Sequence, residues 1–239
     1  MIEFFSRTDV GMVRPNNEDY HLIDSDNGLT ILADGVGGHD YGEIASRMSV
    51  ESSHQYLTRE SYLEDTGNIR VTLAESILFA NQQVMSHKKA HPEQKNMGTT
   101  LSLVHALEDE INFAWIGDSR IYLIDEAKAL ITQLNTDHTL YEEMMEQGKI
   151  AEKYQKSILT RMIGNNPYIK PEAGKESIES GQCILVCSDG LTDLVPDERI
   201  LETFSKYNSS MELTMERLIE LANGQGGRDN ITVAIIKRT

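Results

Sequence analysis

Thr100-Leu101-Ser102-Leu103-Val104-His105-Ala106-Leu107-Glu108-Asp109-Glu110-Ile111-Asn112-Phe113-Ala114-Trp115-Ile116-Gly117 holds two apolar runs on either side of three acids. The alternation through Thr100-Leu101-Ser102-Leu103 and the run Asn112-Phe113-Ala114-Trp115-Ile116 are patterns of strands facing a core. Glu108-Asp109-Glu110 is then a hairpin tip, and an antiparallel pair seeds the fold. The same reading places further strands at 29–33, 120–124, 184–187 and 231–236. Helices are expected over 43–59, 69–89, 140–147, 197–206 and 211–222. Within 69–89, Ile69, Leu73, Ile77, Ala80 and Val84 fall on one stripe, which should be buried. Within 211–222, Leu213, Glu216, Arg217, Leu218 and Leu221 form a mixed amphipathic face, stopped by Asn223-Gly224. Hairpins with long helix pairs inserted, instead of regular strand–helix alternation, define an α+β fold.

The chain has 239 residues, of which 39% are hydrophobic, enough to build a core and to argue against global disorder. Asp plus Glu number 38 against 22 Lys plus Arg, a formal net charge of −16. Nucleic acid and anionic membranes are therefore excluded as primary partners, because both demand a basic footprint. No apolar run approaches the ~20 residues of a spanning helix. The start lacks a basic segment leading into a long apolar one, so a cytoplasmic protein is expected. Cys183 and Cys187 are too few for a disulfide framework and are expected on opposite faces of their strand, away from any shared metal. Without repeats or a long linker, residues 1–239 read as one domain. The polar stretch 137–164 is either a flap over a site or a surface excursion.

The aspartates carry the chemistry. Leu29-Thr30-Ile31-Leu32-Ala33 runs into Asp34-Gly35-Val36-Gly37-Gly38, and Phe113-Ala114-Trp115-Ile116-Gly117 into Asp118-Ser119. Cys183-Ile184-Leu185-Val186-Cys187 leads through Ser188 to Asp189-Gly190, and Gly226-Gly227-Arg228-Asp229-Asn230 opens into the last strand. One Asp-Gly is ordinary turn chemistry. Four acids at strand rims beside glycines are instead what a hard divalent cation needs: rigid carboxylates, with backbone carbonyls able to approach. Arg14-Pro15-Asn16-Asn17-Glu18-Asp19 adds two acids and an arginine whose fork matches a phosphate.

Taken in order, Asn17-Glu18-Asp19, Ala33-Asp34-Gly35-Val36-Gly37-Gly38-His39, Met97-Gly98-Thr99-Thr100, Gly117-Asp118-Ser119-Arg120, Cys187-Ser188-Asp189-Gly190-Leu191 and Gly227-Arg228-Asp229-Asn230-Ile231-Thr232 resemble the metal-dependent Ser/Thr protein phosphatases of the 2C type, in their compact bacterial form. The match spans about residues 7–236. The resemblance implies a four-layer α-β-β-α sandwich of two antiparallel sheets flanked by helix pairs. It also implies two Mn²⁺ or Mg²⁺ ions, with a third, weaker one in bacterial members. By motif, Asp34 would bridge the metals, Gly35 would offer its carbonyl, and Asp189 and Asp229 would complete one site. Glu18 and Asp19 would serve the other, Asp118 the third ion, Arg14 the phosphate, and Asn230 would orient a water. The expected reaction is hydrolysis of phosphoserine or phosphothreonine by a metal-activated water. Its expected partners are phosphorylated proteins, a Ser/Thr kinase and that kinase's substrates, with the enzyme a monomer.

Animal members carry a histidine directly after the Asp-Gly, where this chain has Val36, so no general acid transfers to that position. His39 lies three residues on, and His138 is expected to be structural. Rival readings are a phosphatase of a partner-switching regulatory protein, a catalytically inactive phosphoprotein scaffold, and a Mg²⁺-dependent nuclease. The surplus acidity is also expected to favour phosphosites flanked by Lys or Arg.

Overall fold

The computed structural model describes residues 1–36, 41–59 and 68–239. Gly37, Gly38 and His39 of the glycine-rich motif therefore lie outside the described residues. In chain order the strands are β1 (Ile2–Asp9), β2 (Tyr20–Asp24), β3 (Leu29–Ala33), β4 (Gly35–Val36), β5 (Gly98–Thr99), β6 (Leu101–Ala106), β7 (Glu110–Ile116), β8 (Arg120–Asp125), β9 (Leu130–Gln133), β10 (Glu172–Ser177), β11 (Cys183–Cys187) and β12 (Ile231–Arg238). The helices are α1 (Gly42–Leu57), α2 (Ile69–Ala90), α3 (Leu140–Glu146), α4 (Asp189–Thr192), α5 (Asp197–Tyr207) and α6 (Met211–Gly224).

The hairpin that opened the reading is present: β6 pairs antiparallel with β7, Val104 opposite Phe113, and Leu107 N–H donates to Glu110 O at the tip. One five-stranded sheet runs β1-β12-β11-β8-β9 and the other β10-β7-β6-β3-β2. Three separate apolar layers fix the stacking. Leu29, Ile31, Leu101, Leu103, Ala114 and Ile116 pack with α1 and α2 residues outside the second sheet. Leu185, Val233 and Ile235 pack with α5 and α6 residues outside the first. Between the sheets, Leu32, Val104, Phe113, Trp115, Val186 and Ala234 meet. Both faces of the central strands are thus covered, so the period-two alternation of side chains sorts two apolar sets into two different cores. The order helix, sheet, sheet, helix is the expected four-layer sandwich.

The α2 stripe Ile69, Leu73, Ile77, Ala80 and Val84 is buried as expected. The α6 stripe is rotated from its expected face: Met211, Met215, Leu218, Ile219 and Ala222 are buried, while Leu213 is half-exposed. Cys183 and Cys187 also correct an expectation. Residues four apart on a strand return to the same face, and both thiols lie in the α5–α6 core.

Candidate metal centre

β3 ends at Ala33, β7 at Ile116 and β11 at Cys187, while β12 begins at Ile231. The pairings Leu32–Ser102, Leu101–Ile116 and Cys187–Val233 put these ends along one rim of each sheet. Asp34, Asp118, Asp189 and Asp229 consequently face a common cavity of about 280 Å³, together with Arg14, Gly35, Val36 and Asp193. Four acids far apart in sequence meet because each is hinged to a rigid apolar strand. Thr100 ties two of the rims. Its hydroxyl accepts from Asp34 N–H at 3.0 Å and lies 2.8 Å from the Ser119 hydroxyl.

Two glycines are sterically required here. A Cβ on Gly35 would sit 2.5 Å from the carbonyl oxygens of both Glu18 and Gly42, so any side chain would part the turn from its neighbours. Gly117 has φ +109°, and a Cβ there would lie 2.5 Å from the Thr100 side chain.

Asp19 reaches the same rim from the loop before β2. Its Oδ2 accepts from Ser188 Oγ (2.8 Å) and Thr232 Oγ1 (2.6 Å). Its Oδ1 is buried with no hydrogen-bond partner. A buried carboxylate oxygen left unpaired costs free energy unless a cation or water meets it. Glu18 stands beside it, its backbone carbonyl accepting from Gly35 N–H at 3.1 Å and from the Ser46 hydroxyl at 2.6 Å. The Arg14 guanidinium donates to Asp229 Oδ2 at 2.6 Å; burial opposes its charge, but Asp229, with Glu18 and Asp189, raises its pKa on balance.

Among the residues lining the cavity, Arg14 faces five carboxylates: Asp34, Asp118, Asp189, Asp193 and Asp229. The electrostatic consequence is large. Burial, followed by repulsion from neighbouring acids, pushes Asp34 and Asp189 well above the usual carboxylate range. Burial pushes Asp19 up to about 6, against the two hydroxyls that lower it. Burial, then Asp137, pushes Asp118 up to about 7. Such acids are strained when ionised together without cations. Among the described residues no three His, Cys, Asp or Glu side chains are already drawn together tightly enough to hold an ion. They surround open space instead, as suits Mg²⁺-like ions that keep several of their waters. The donor set, all hard oxygen with an orphaned Asp19 Oδ1, fits divalent cations of that kind.

The water-orienting role expected of Asn230 finds its amide already committed. Its Oδ1 accepts from Glu18 N–H at 2.8 Å, and its Nδ2 donates to Val10 O and Asn16 O at 2.9 Å each. Asn230 is buried and braces the loop that carries Glu18. Removing those three bonds should cost about 3 kcal/mol, at about 1 kcal/mol each. Asn230→Ala is accordingly expected to unfold at lower urea, with activity following stability.

His138 is buried, stacked on Trp115 at 5.8 Å between ring centroids, and its Nδ1 accepts from Gly117 N–H at 3.1 Å. Burial, then Arg161, lowers its pKa to about 4. The stretch 137–164 contains α3, and its Ser157 and Leu159 help to line the cavity. Its ends are pinned, His138 N–H to Gly117 O and Ile163 to Thr99. Asp193 escaped the sequence reading. It lies one turn after Asp189, and the i, i+4 spacing was its only signal.

The family described as Protein phosphatase 2C matches residues 14–222. The chain belongs to the protein phosphatase 2C family. Among its relatives is the protein phosphatase PhpP of Streptococcus pneumoniae serotype 2, 36% identical over 238 residues, which cover 96% of this chain and 94% of that one. The serine/threonine phosphatase of S. agalactiae superposes with a TM-score of 0.91 at 33% identity, covering 100% of both chains. The catalytic domain of the serine/threonine phosphatase PstP, solved with two manganese ions, gives 0.83 at 31% identity over 99% of this chain and 97% of that one. This 2C phosphatase thus carries the family's fold over its whole described length, with the acids of the family motifs at one rim.

Proposed function

We propose that the carboxylate cavity is the phosphoryl-transfer site of this metal-dependent Ser/Thr protein phosphatase, with Asp34, Gly35, Asp189 and Asp229, aided by Glu18 and Asp19, holding two divalent cations. Manganese or magnesium suits the oxygen ligands, and Asp118, facing Asp193, would hold a third, weaker ion. Bound there, the cations lower the pKa of an attacking water and neutralise phosphoryl charge. The observation that carries the assignment is the convergence of five acids on one cavity around Arg14, with a buried Asp19 oxygen lacking a partner.

The chain's own residues supply the rest. Arg14, aimed by Asp229, offers its free N–H groups to the equatorial phosphoryl oxygens, where charge concentrates. Val36 lines the cavity and gives up no proton. His138 does not line the cavity; its ring stacks on Trp115, its Nδ1 accepts from Gly117 N–H and its Nε2 faces Arg161 and Glu172, so it is not placed to give a proton there. Cys183 and Cys187 lie in the α5–α6 core and do not line the cavity, and burial pushes both thiols up to about 12, so neither is placed to attack a phosphate there. As the family resemblance implies, the proposed reaction is water attack without a covalent enzyme intermediate.

Arg14→Ala should raise KM for a phosphothreonine peptide by about tenfold or more, since charge-assisted bonds contribute ~1.5–3 kcal/mol. Its Mn²⁺ affinity, followed by calorimetric titration, should stay within a few-fold of wild type; an unchanged KM would remove Arg14 from the phosphate site.

We read 137–164 as a flap over this site and residues 1–239 as one monomeric catalytic domain. No helix among the described residues is long and apolar enough to cross a membrane; a cytoplasmic location is part of the proposal. A Ser/Thr kinase and its targets are the proposed substrates. A phosphoproteome compared with and without the active enzyme identifies them.

A further inference from the structure

A second cavity, of about 450 Å³, adjoins the first and shares Ser157, Asp193 and Asp229 with it. Lys156, Arg228 and Leu194 also line it. Both cations are exposed, and among the described residues neither forms an ion pair. The Lys156 ammonium lies 4.8 Å from the Tyr141 ring centroid, a contact that steadies its charge without neutralising it. Of the acids on the shared wall, Asp229 is held by Arg14, and Asp193, which lines both cavities, attracts Lys156 without an ion-pair contact.

A phosphorylated segment with its phosphate among the acids must leave the site through adjoining space. An extended chain advances about 3.3 Å per residue, so a side chain one or two residues from the phosphoresidue would enter a cavity that shares three lining residues with the first. We propose that the second cavity is a specificity subsite for an acidic side chain of the substrate, held by Lys156 and Arg228. The proposal rests on the first cavity being the phosphoryl site. It reverses the preference that the net charge of −16 suggests. Bulk acidity acts on distant charges and is screened beyond ~8–10 Å, whereas residues flanking the phosphate meet local cations.

The test uses alanine-based phosphothreonine peptides bearing Glu, Lys or Ala two residues to either side, assayed with Mn²⁺. The wild type should show kcat/KM about fivefold higher for the Glu than for the Lys peptide, the scale of two exposed charge pairs, and less at high salt. Lys156→Glu, on a segment remote in sequence from the acids, should lower that ratio, and Arg228→Gln should lower it again. Loss of Ala-peptide turnover in Asp34→Asn, a residue of the first cavity, tests the phosphoryl-site reading separately. A wild-type ratio of one or below, or a ratio unchanged by both substitutions, overturns the subsite.

Discussion

Asp34→Asn and Asp189→Asn are each expected to lower Mn²⁺-dependent hydrolysis of a phosphothreonine peptide by at least about a hundredfold, the upper range for losing even a supporting residue of a metal site. Asparagine keeps the size and one oxygen of aspartate but removes the charge that a hard cation requires. The substitutions should not weaken the fold. Both acids are already driven toward their neutral forms by burial and by their neighbours, so a neutral isostere relieves repulsion. The expected signature is therefore an inactive enzyme whose metal-free form melts at or above the wild-type temperature. Asp229→Asn should lose activity for the same reason and also release Arg14, its partner at 2.6 Å. Full activity in any of the three would remove that residue from the site.

Removing divalent cations should have the largest effect on stability. Two sites, each filled at ~100 times its dissociation constant, stabilise the native state by about 5 kcal/mol in total. For a chain of this length, about 2–4 °C per kcal/mol follows, so Mn²⁺ should raise Tm by on the order of 10 °C over chelator at pH 7. The pH dependence has a definite sign. The folded pKa values of Asp19, Asp34, Asp118 and Asp189 lie above the unfolded aspartate value, about 6 for Asp19 and about 7 for Asp118. Between pH 4 and 7 the metal-free native state therefore binds more protons than the unfolded chain, and these groups subtract stability as pH rises. Cations remove that loss. The Tm difference between Mn²⁺ and chelator should be small near pH 4.5 and grow toward pH 7, and taking the difference cancels the other titrating groups. A difference that is flat across this range, or that falls with pH, would contradict a carboxylate cluster relieved by metal.

What the sequence made legible follows from burial. The six central strands, β3, β6, β7, β8, β11 and β12, were all expected, because cover on both faces makes them apolar almost throughout. The four longer strands that were not expected, β1, β2, β9 and β10, are the four edges of the two sheets. Edge strands are half exposed; Glu172-Ala173-Gly174-Lys175-Glu176-Ser177 pairs with β7 although it holds no apolar run to mark it as a strand. The candidate acids were readable for a related reason, since an aspartate beside glycine at the end of an apolar run stands out. Asp193 sits in the turn after the short helix α4, without glycine beside it, and did not. Asn230 was readable as a site neighbour, but its task was not. Bonds to Val10, Asn16 and Glu18, more than two hundred residues away in sequence, leave no local trace.

Calorimetric titration of metal-stripped protein with Mn²⁺ at pH 7, wild type against Asp34→Asn/Asp189→Asn, tests the metal-site assignment most directly. Two ions per wild-type chain are expected, with the loss of at least one in the double variant while its fold, followed by circular dichroism, is retained. Equal stoichiometry and affinity in the two proteins would place the metals, and with them the chemistry, away from this cavity.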